Sequence, residues 1–276
     1  MRVFLTGASG YIGKHVALEL VSRGHQVVGM ARKPSQRTKY SSDVEWCYAE
    51  LTDVEEYWSE LESSDAVVHC AMDYTSSGTE NAEVDRNFVA RMGAFTGQFV
   101  YTGNLFADRA QGNLAEACLD TSEHWRFQTE CAVIGSSTRS SVVRLGFVYG
   151  CRGGYLWDIL SPGTLANISP DKIPKVLWPM IHVKDVARLF AMVLESKESG
   201  VFHAFDGVQV LAEEIIEAVR AVYTARGITY SESHDYIQGL LQSSVSTSSN
   251  RSLSLGWNPG YASFAKNAEA AYLENQ

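Results

Sequence analysis

Arg2-Val3-Phe4-Leu5-Thr6-Gly7-Ala8-Ser9-Gly10-Tyr11-Ile12-Gly13 opens the chain, and these residues decide the fold. The apolar run before Thr6 has the pattern of a buried strand. Val16, Ala17, Leu20 and Val21 then recur along one face of a helix. Between the two stand glycines at GxxGxxG spacing. In a strand–turn–helix that spacing has a mechanical purpose. Gly7 permits a sharp turn out of the strand, Gly10 permits backbone to approach a pyrophosphate, and Gly13 permits helix and strand to pack closely. The N–H groups at the helix start then face the phosphates. Gly7, Ser9, Gly10, Tyr11, Ile12 and Gly13 are therefore candidate dinucleotide contacts.

The chain's 276 residues suffice for one large α/β domain, or for a nucleotide domain with a smaller lobe. A net charge of −9 argues against nucleic acid or an anionic membrane as partner. The cysteines (Cys47, Cys70, Cys118, Cys131 and Cys151) are odd in number and form no CxxC pair. They fit reduced thiols better than a disulfide framework. No apolar run approaches the roughly 18 residues of a membrane span. The first strand starts at residue 2, which leaves no room for a signal or transit peptide. A cytoplasmic protein is expected.

Further strands are predicted at 26–31, 44–49, 65–71, 98–102 and 141–145, with a helix from Thr52-Asp53 to about Leu61. Strands alternating with helices imply βαβ units, a doubly wound parallel sheet of the Rossmann type and a strand order of 3-2-1-4-5-6. Past Gly150 the pattern loosens. Residues 151–179 carry four of the six prolines and are predicted to be mostly loop. Val183 to Ser196 is a clean amphipathic helix, 201–205 a short strand and 211–226 another helix. Ser243 to Ser249 is serine-rich and reads as a flexible surface loop. The expected organisation is a dinucleotide domain of 1–146 plus about 182–206, a small substrate lobe of about 147–181 plus 207–262, and a C-terminal helix over 263–276.

These segments resemble an extended short-chain dehydrogenase/reductase of the NAD-dependent epimerase/dehydratase group, over essentially the whole chain. Thr6 to Gly13 is similar to TGxxGxxG, and Val68-His69-Cys70-Ala71 resembles the HxAA strand end. Arg144 to Gly150 resembles RPGxVYG, Ile181 to Ala187 resembles HVDDLA, and Leu255-Gly256-Trp257-Asn258-Pro259 resembles LGWxP. The resemblance implies a nicotinamide dinucleotide, a small-molecule substrate, no metal, and a monomer or homodimer. It also implies that Glu50 and Leu51 stand beside the adenine. Cys70, Ala71, Met72, Thr102, Arg126, Leu145 and Val148 then line the rest of the cofactor.

Charge selects the cofactor. NAD binders place an acid about 20 residues past the glycines to hold the ribose 2′-OH. Here that place reads Ala31-Arg32-Lys33. A guanidinium pairs bidentately with a 2′-phosphate, so Arg32 and Lys33 point to NADP(H).

At the active site the sequence departs from the family. The family's acid/base is a Tyr, with a Lys four residues later. From Thr102 to Val148 there is no tyrosine and no lysine. The family's Glu eight residues beyond the Tyr matches Glu130, which puts Ser122 in the tyrosine slot and Arg126 in the lysine slot. Thr102 and Asn104 follow the fifth strand as polar candidates. Asp120 to Glu123 resembles a capping box, so Ser122 and Arg126 would share a helix face while His124 points elsewhere. His124 titrates near neutrality and is a lesser candidate acid. Arg126 can hold ribose hydroxyls but cannot exchange a proton near neutrality.

Packing roles compete with function elsewhere. His69 reads as packing or catalytic, and His182 and Asp185 as fixing the start of the following helix. Tyr155, Trp157 and Trp178 read as a substrate pocket or as simple core. Three functions stay open: an NADP(H)-dependent reductase with an atypical site, an inactive NADP(H)-binding regulator, and a non-redox isomerase, cyclase or lyase.

Overall fold

The computed structural model describes residues 1–34, 42–72, 78–106, 111–114, 124–136, 139–151, 153–169, 173–229 and 237–274. β1 (Arg2–Thr6) leads through the glycine turn into α1 (Tyr11–Ser22), and β2 (Gln26–Ala31) follows. β3 (Val44–Tyr48), α2 (Val54–Glu62), β4 (Ala66–His69), α3 (Gly78–Met92) and β5 (Gln98–Asn104) continue the alternation. A short β6 (Gln111–Leu114) precedes α4 (Trp125–Gly135) and β7 (Arg139–Leu145). Then come β8 (Phe147–Tyr149), α5 (Tyr155–Ile159), α6 (Pro162–Ala166), β9 (Met180–His182), α7 (Val183–Ser196) and β10 (Gly200–Ala204). The chain closes with α8 (Ala212–Ala225), α9 (Ile237–Leu240), β11 (Ser244–Thr247), α10 (Asn250–Ser254) and α11 (Phe264–Leu273).

Seven parallel strands form the main sheet, in the order β10-β7-β5-β4-β1-β2-β3. The predicted order is present, with β7 as its sixth strand, and β10 adds a seventh at the edge. Strand period decides which helices cover which face. Val3, Leu5 and Val68 pack with Val16 and Leu20 of α1 and Val186 and Phe190 of α7. Phe4, Val67 and Phe99 face the opposite way, against Tyr57 of α2, Phe88 of α3 and Val133 of α4. Both faces are thus covered, as an all-parallel sheet requires. The order reverses between β1 and β4, whose carboxyl ends open the crevice where ligands bind in such sheets. A separate core gathers residues of 149–180, α8 and α9, and Phe264, Ala268 and Ala271 of α11 join it.

One expectation for the second half of the chain holds and one is corrected. Residues 151–179 are mostly loop, as expected, around two short helices, α5 and α6, whose Leu156, Ile159 and Leu165 are buried. Pro162 starts α6. Its missing N–H falls where a helix has no partner for one, and Ser161 caps by accepting from Thr164 N. The serine-rich stretch is not a surface loop. β11 pairs in parallel with β6, and Ser243, Val245 and Ser249 are buried. Hydroxyls make that burial tolerable, since Ser249 donates to Phe205 O and Ser252 to His203 O, each at 2.8 Å.

Candidate active site

Two of the three motif glycines are required by the protein's own packing. Gly7 has φ +68°, and a Cβ on it would lie 2.7 Å from Ala71 N. A Cβ on Gly13 would lie 2.1 Å from Gly7 O. Gly10 differs. Its backbone is extended, no side chain caps α1 there, and an added Cβ would meet only Gly7 O, at 3.2 Å. Open ground therefore stands before uncapped helix N–H groups, which suits a pyrophosphate. Ser9 and Ile12 border this turn, each half-buried. The Tyr11 hydroxyl donates to Gly150 O at 2.7 Å and its ring packs against Gly153, so its backbone is what remains for a phosphate.

Arg32 and Lys33 are exposed just past the buried end of β2. Glu50 is exposed after β3, while Leu51 is half-buried and accepts the Tyr57 hydroxyl at its carbonyl (3.1 Å). Cys70, Ala71 and Met72 follow β4, all half-buried. Burial pushes the Cys70 thiol up to about 12, so it stays neutral. Thr102 donates to His69 O at 2.6 Å, which ties β5 to the end of β4. Val148 is half-buried on β8, but the Leu145 side chain lies within the sheet core.

α4 begins later than the sequence suggests. Its N-cap is His124, whose Nδ1 accepts from Arg126 N at 3.3 Å, and the helix runs from Trp125. The expected capping box at 120–123 and Ser122 lie outside the described residues. His124 is thus the cap itself and not a residue on a helix face. The half-buried Arg126 reaches the end of β4, where Nη2 donates to Met72 Sδ at 2.6 Å, and it also lies over the Trp125 ring. Asn104 caps its own turn, with Oδ1 accepting from Phe106 N at 2.8 Å.

Glu130 is fully buried and accepts from the equally buried Arg144 Nε at 2.6 Å and from Asn104 N at 3.4 Å. Burial raises its pKa and Arg144 opposes that rise. Breaking such a pair leaves one charge without compensation. Glu130 therefore fixes the β5 end beside Arg126. The Met72–Arg126 contact and the Glu130–Arg144 pair went unread because their partners come from different motifs.

His182 caps α7, as expected, accepting from Lys184 N at 3.2 Å, and its Nε2 lies 2.9 Å from Glu274 Oε2. Asp185 does more than start that helix, since it accepts from Gly260 N and Tyr261 N, each at 3.0 Å. The Cys151, His182 and Glu274 donor atoms lie within 4.8 Å of one another. The cap occupies Nδ1 as an acceptor, so Nε2 carries the hydrogen and donates it to Glu274. In that tautomer the one ring lone pair, on Nδ1, is already engaged by Lys184 N. Trp178 is core, Trp157 packs against Phe264 and Tyr272, and Tyr155 is 60% exposed. These three rings do not form one pocket.

A family model described as NAD(P)H-binding matches residues 7–146. "Uncharacterized protein YLL056C" of Saccharomyces cerevisiae is 28% identical over 305 residues, covering 100% of each chain. "Epimerase family protein SDR39U1" of Bos taurus is 27% identical, over 82% of this chain and 81% of its own. The crystal structure of Thermus thermophilus UDP-glucose 4-epimerase with NAD superposes with a TM-score of 0.71 at 19% identity, covering 100% of this chain and 99% of that one. At that identity the likeness shows the fold. No helix among the described residues is long and apolar enough to cross a membrane.

Proposed function

The chain belongs to the NAD(P)H-binding family with the fold of the extended short-chain dehydrogenase/reductase epimerases, and on that premise we propose that it is an NADP(H)-dependent reductase of a small organic substrate, with an atypical active site. The observation that carries the cofactor assignment is the pair Arg32 and Lys33, exposed at the end of β2 where an acid would serve NAD. Helix amides at Gly10 to Gly13 bind the pyrophosphate, and Arg32 and Lys33 hold the 2′-phosphate. When bound, the nicotinamide supplies a hydride to a carbonyl or imine.

The protein's residues do the rest. Arg126, anchored by Met72, donates to ribose hydroxyls without exchanging a proton. Thr102 and Asn104, two apart on β5, border the substrate. The proton comes from water or from the substrate. We assign 1–146 and about 182–206 to the dinucleotide domain, and about 147–181 with 207–262 to the substrate lobe. The separate core of that lobe supports the division.

The missing Tyr–Lys pair favours a second reading, an NADP(H)-binding regulator without turnover. Titration with NADPH and NADH, followed by NADPH oxidation across a carbonyl panel, separates the two. Tighter NADPH binding with turnover supports the reductase. Tight binding with no turnover on any carbonyl favours the regulator, and equal affinity for both dinucleotides refutes the Arg32 argument.

A further inference from the structure

A buried chain of hydrogen bonds ties the glycine turn to α3 and β5. Ala71 N donates to Thr6 Oγ1 at 3.2 Å, and Thr6 Oγ1 lies 2.8 Å from His69 Nδ1. On the other side of the ring, Nε2 is 3.2 Å from Asp85 Oδ1. The Tyr101 hydroxyl donates to Asp85 Oδ2 at 2.7 Å. Thr6 and His69 are neighbours in register on β1 and β4, and Tyr101 is the β5 partner of His69. None of these four residues is more than 4% exposed. The His69 ring also stacks against Phe88 and Tyr101, at centroid distances of 4.4 and 5.7 Å.

Buried donors and acceptors must be matched, and that fixes the hydrogens. An amide can only donate, so Thr6 Oγ1 accepts from Ala71 and gives its own hydrogen to Nδ1. Nε2 then carries the ring hydrogen and donates it to Asp85, which takes a second hydrogen bond from Tyr101. Protonating Nδ1 instead would turn the Thr6 hydrogen away from every partner in this network. The chain runs one way and ends on a carboxylate, which polarises each bond in it. Its near end is the Ala71 amide, part of the Cys70–Ala71 peptide that leaves no room for a side chain on Gly7.

We propose that Asp85 and Tyr101 are positioning residues for the dinucleotide: through His69 and Thr6 they hold the end of β4 against the glycine turn. This rests on the reading of that turn as the cofactor loop. Asp85→Asn offers an NH₂ group to one of two donors, so His69 or Tyr101 must reverse. Reversing His69 takes the acceptor away from Thr6. Thr6→Val removes the link at near-constant shape, and Thr6→Ser restores it.

The test measures NADPH affinity by calorimetry below each protein's melting temperature, together with ¹⁵N shifts of the His69 ring. Asp85→Asn and Thr6→Val should each weaken binding by about tenfold, and Thr6→Ser should stay within about twofold, the scale of one charge-assisted link. The ring should report the Nε2–H tautomer in the unmodified protein and in Thr6→Ser, and should change in Asp85→Asn. If either variant fails to fold, Tyr101→Phe carries the test, with a loss of about threefold expected for one neutral hydrogen bond. Lower melting temperatures with unchanged affinity would make the network purely structural and overturn the proposal. An unmodified protein that binds neither NADPH nor NADH overturns the cofactor reading itself, a different failure.

Discussion

Gly10→Val separates the cofactor reading from the fold more cleanly than any other change, because the three motif glycines carry different loads. A β-carbon on Gly13 would lie 2.1 Å from Gly7 O, backbone against backbone, so Gly13→Ala should destabilise by about 1–3 kcal/mol or more through overpacking. At Gly10 the same carbon meets only Gly7 O, at 3.2 Å, and φ −78° with ψ 173° is open to any residue. The intrinsic cost of Val there is that of a poor N-cap, about 1 kcal/mol. Its γ-carbons occupy the ground before the α1 amides. Losing two charge-assisted hydrogen bonds to phosphate, at roughly 1.5–3 kcal/mol each, should lower affinity for NADPH at least about 100-fold. Calorimetry gives the affinity, and urea unfolding with circular dichroism gives the fold. Near-native stability with retained micromolar binding would refute the reasoning and leave the glycine turn a purely structural device.

Three further outcomes are expected. Arg32→Ala should cost about 1.5–3 kcal/mol in NADPH binding and leave NADH binding almost unchanged, as calorimetry with both dinucleotides would register. Arg126→Ala should weaken cofactor binding, whereas His124→Ala should cost only about 1 kcal/mol of stability through the lost cap, with turnover intact. Normal binding in the first with abolished turnover in the second would make His124 the proton donor. Stability should also fall on acidification. Burial, aided by nearby Arg144, holds His203 down to about 3, so the unfolded chain takes up this proton below about 6.5 while the folded one resists. Stability is then lost as pH drops from about 6.5 towards 3, at up to about 1.4 kcal/mol per pH unit from this group. His15, pushed down to about 4, acts in the same direction. Urea midpoints for His203→Gln should show a shallower slope between pH 6.5 and 5, and an unchanged slope would remove the argument.

Legibility in the sequence followed how local each cause is. β1, the glycine turn and α1 were readable because strand, turn and helix start share a dozen consecutive residues. α7 runs from Val183 to Ser196, the span its apolar period predicts, since nine of its residues are buried on one broad face. The serine-rich stretch misled because its partners are distant in sequence: Ser249 donates to Phe205 O, and the Thr247 hydroxyl pairs with the His203 ring. In the site, Glu130 was found by its spacing, whereas its dependence on Arg144 needed β7 laid beside β5. Asp85 stood out in no motif, because only the stacking of α3 on β4 gives it a histidine.

The missing acid/base is where sequence and structure reinforce each other. A tyrosine supplied from another element could have replaced the absent one, and the elements around the site do carry tyrosines. Among the described residues three of them are committed inward, while Tyr74, just past β4, lies outside the described residues. Tyr11 donates to Gly150 O, Tyr101 to Asp85 and Tyr149 to Tyr261 O, and burial raises all three phenols above their ordinary range. A phenol so placed neither reaches a substrate nor gives up a proton near neutrality. Among the described residues, Arg126 is then the cation best placed at the end of β4, and its charge is permanent. A group that cannot titrate can still fix where a ribose sits. Among the described residues the site therefore favours orientation over proton transfer. An inflection of turnover between about pH 6 and 8 would point to a histidine, to the buried Asp206 carboxyl, which burial pushes up to about 6, or to the substrate.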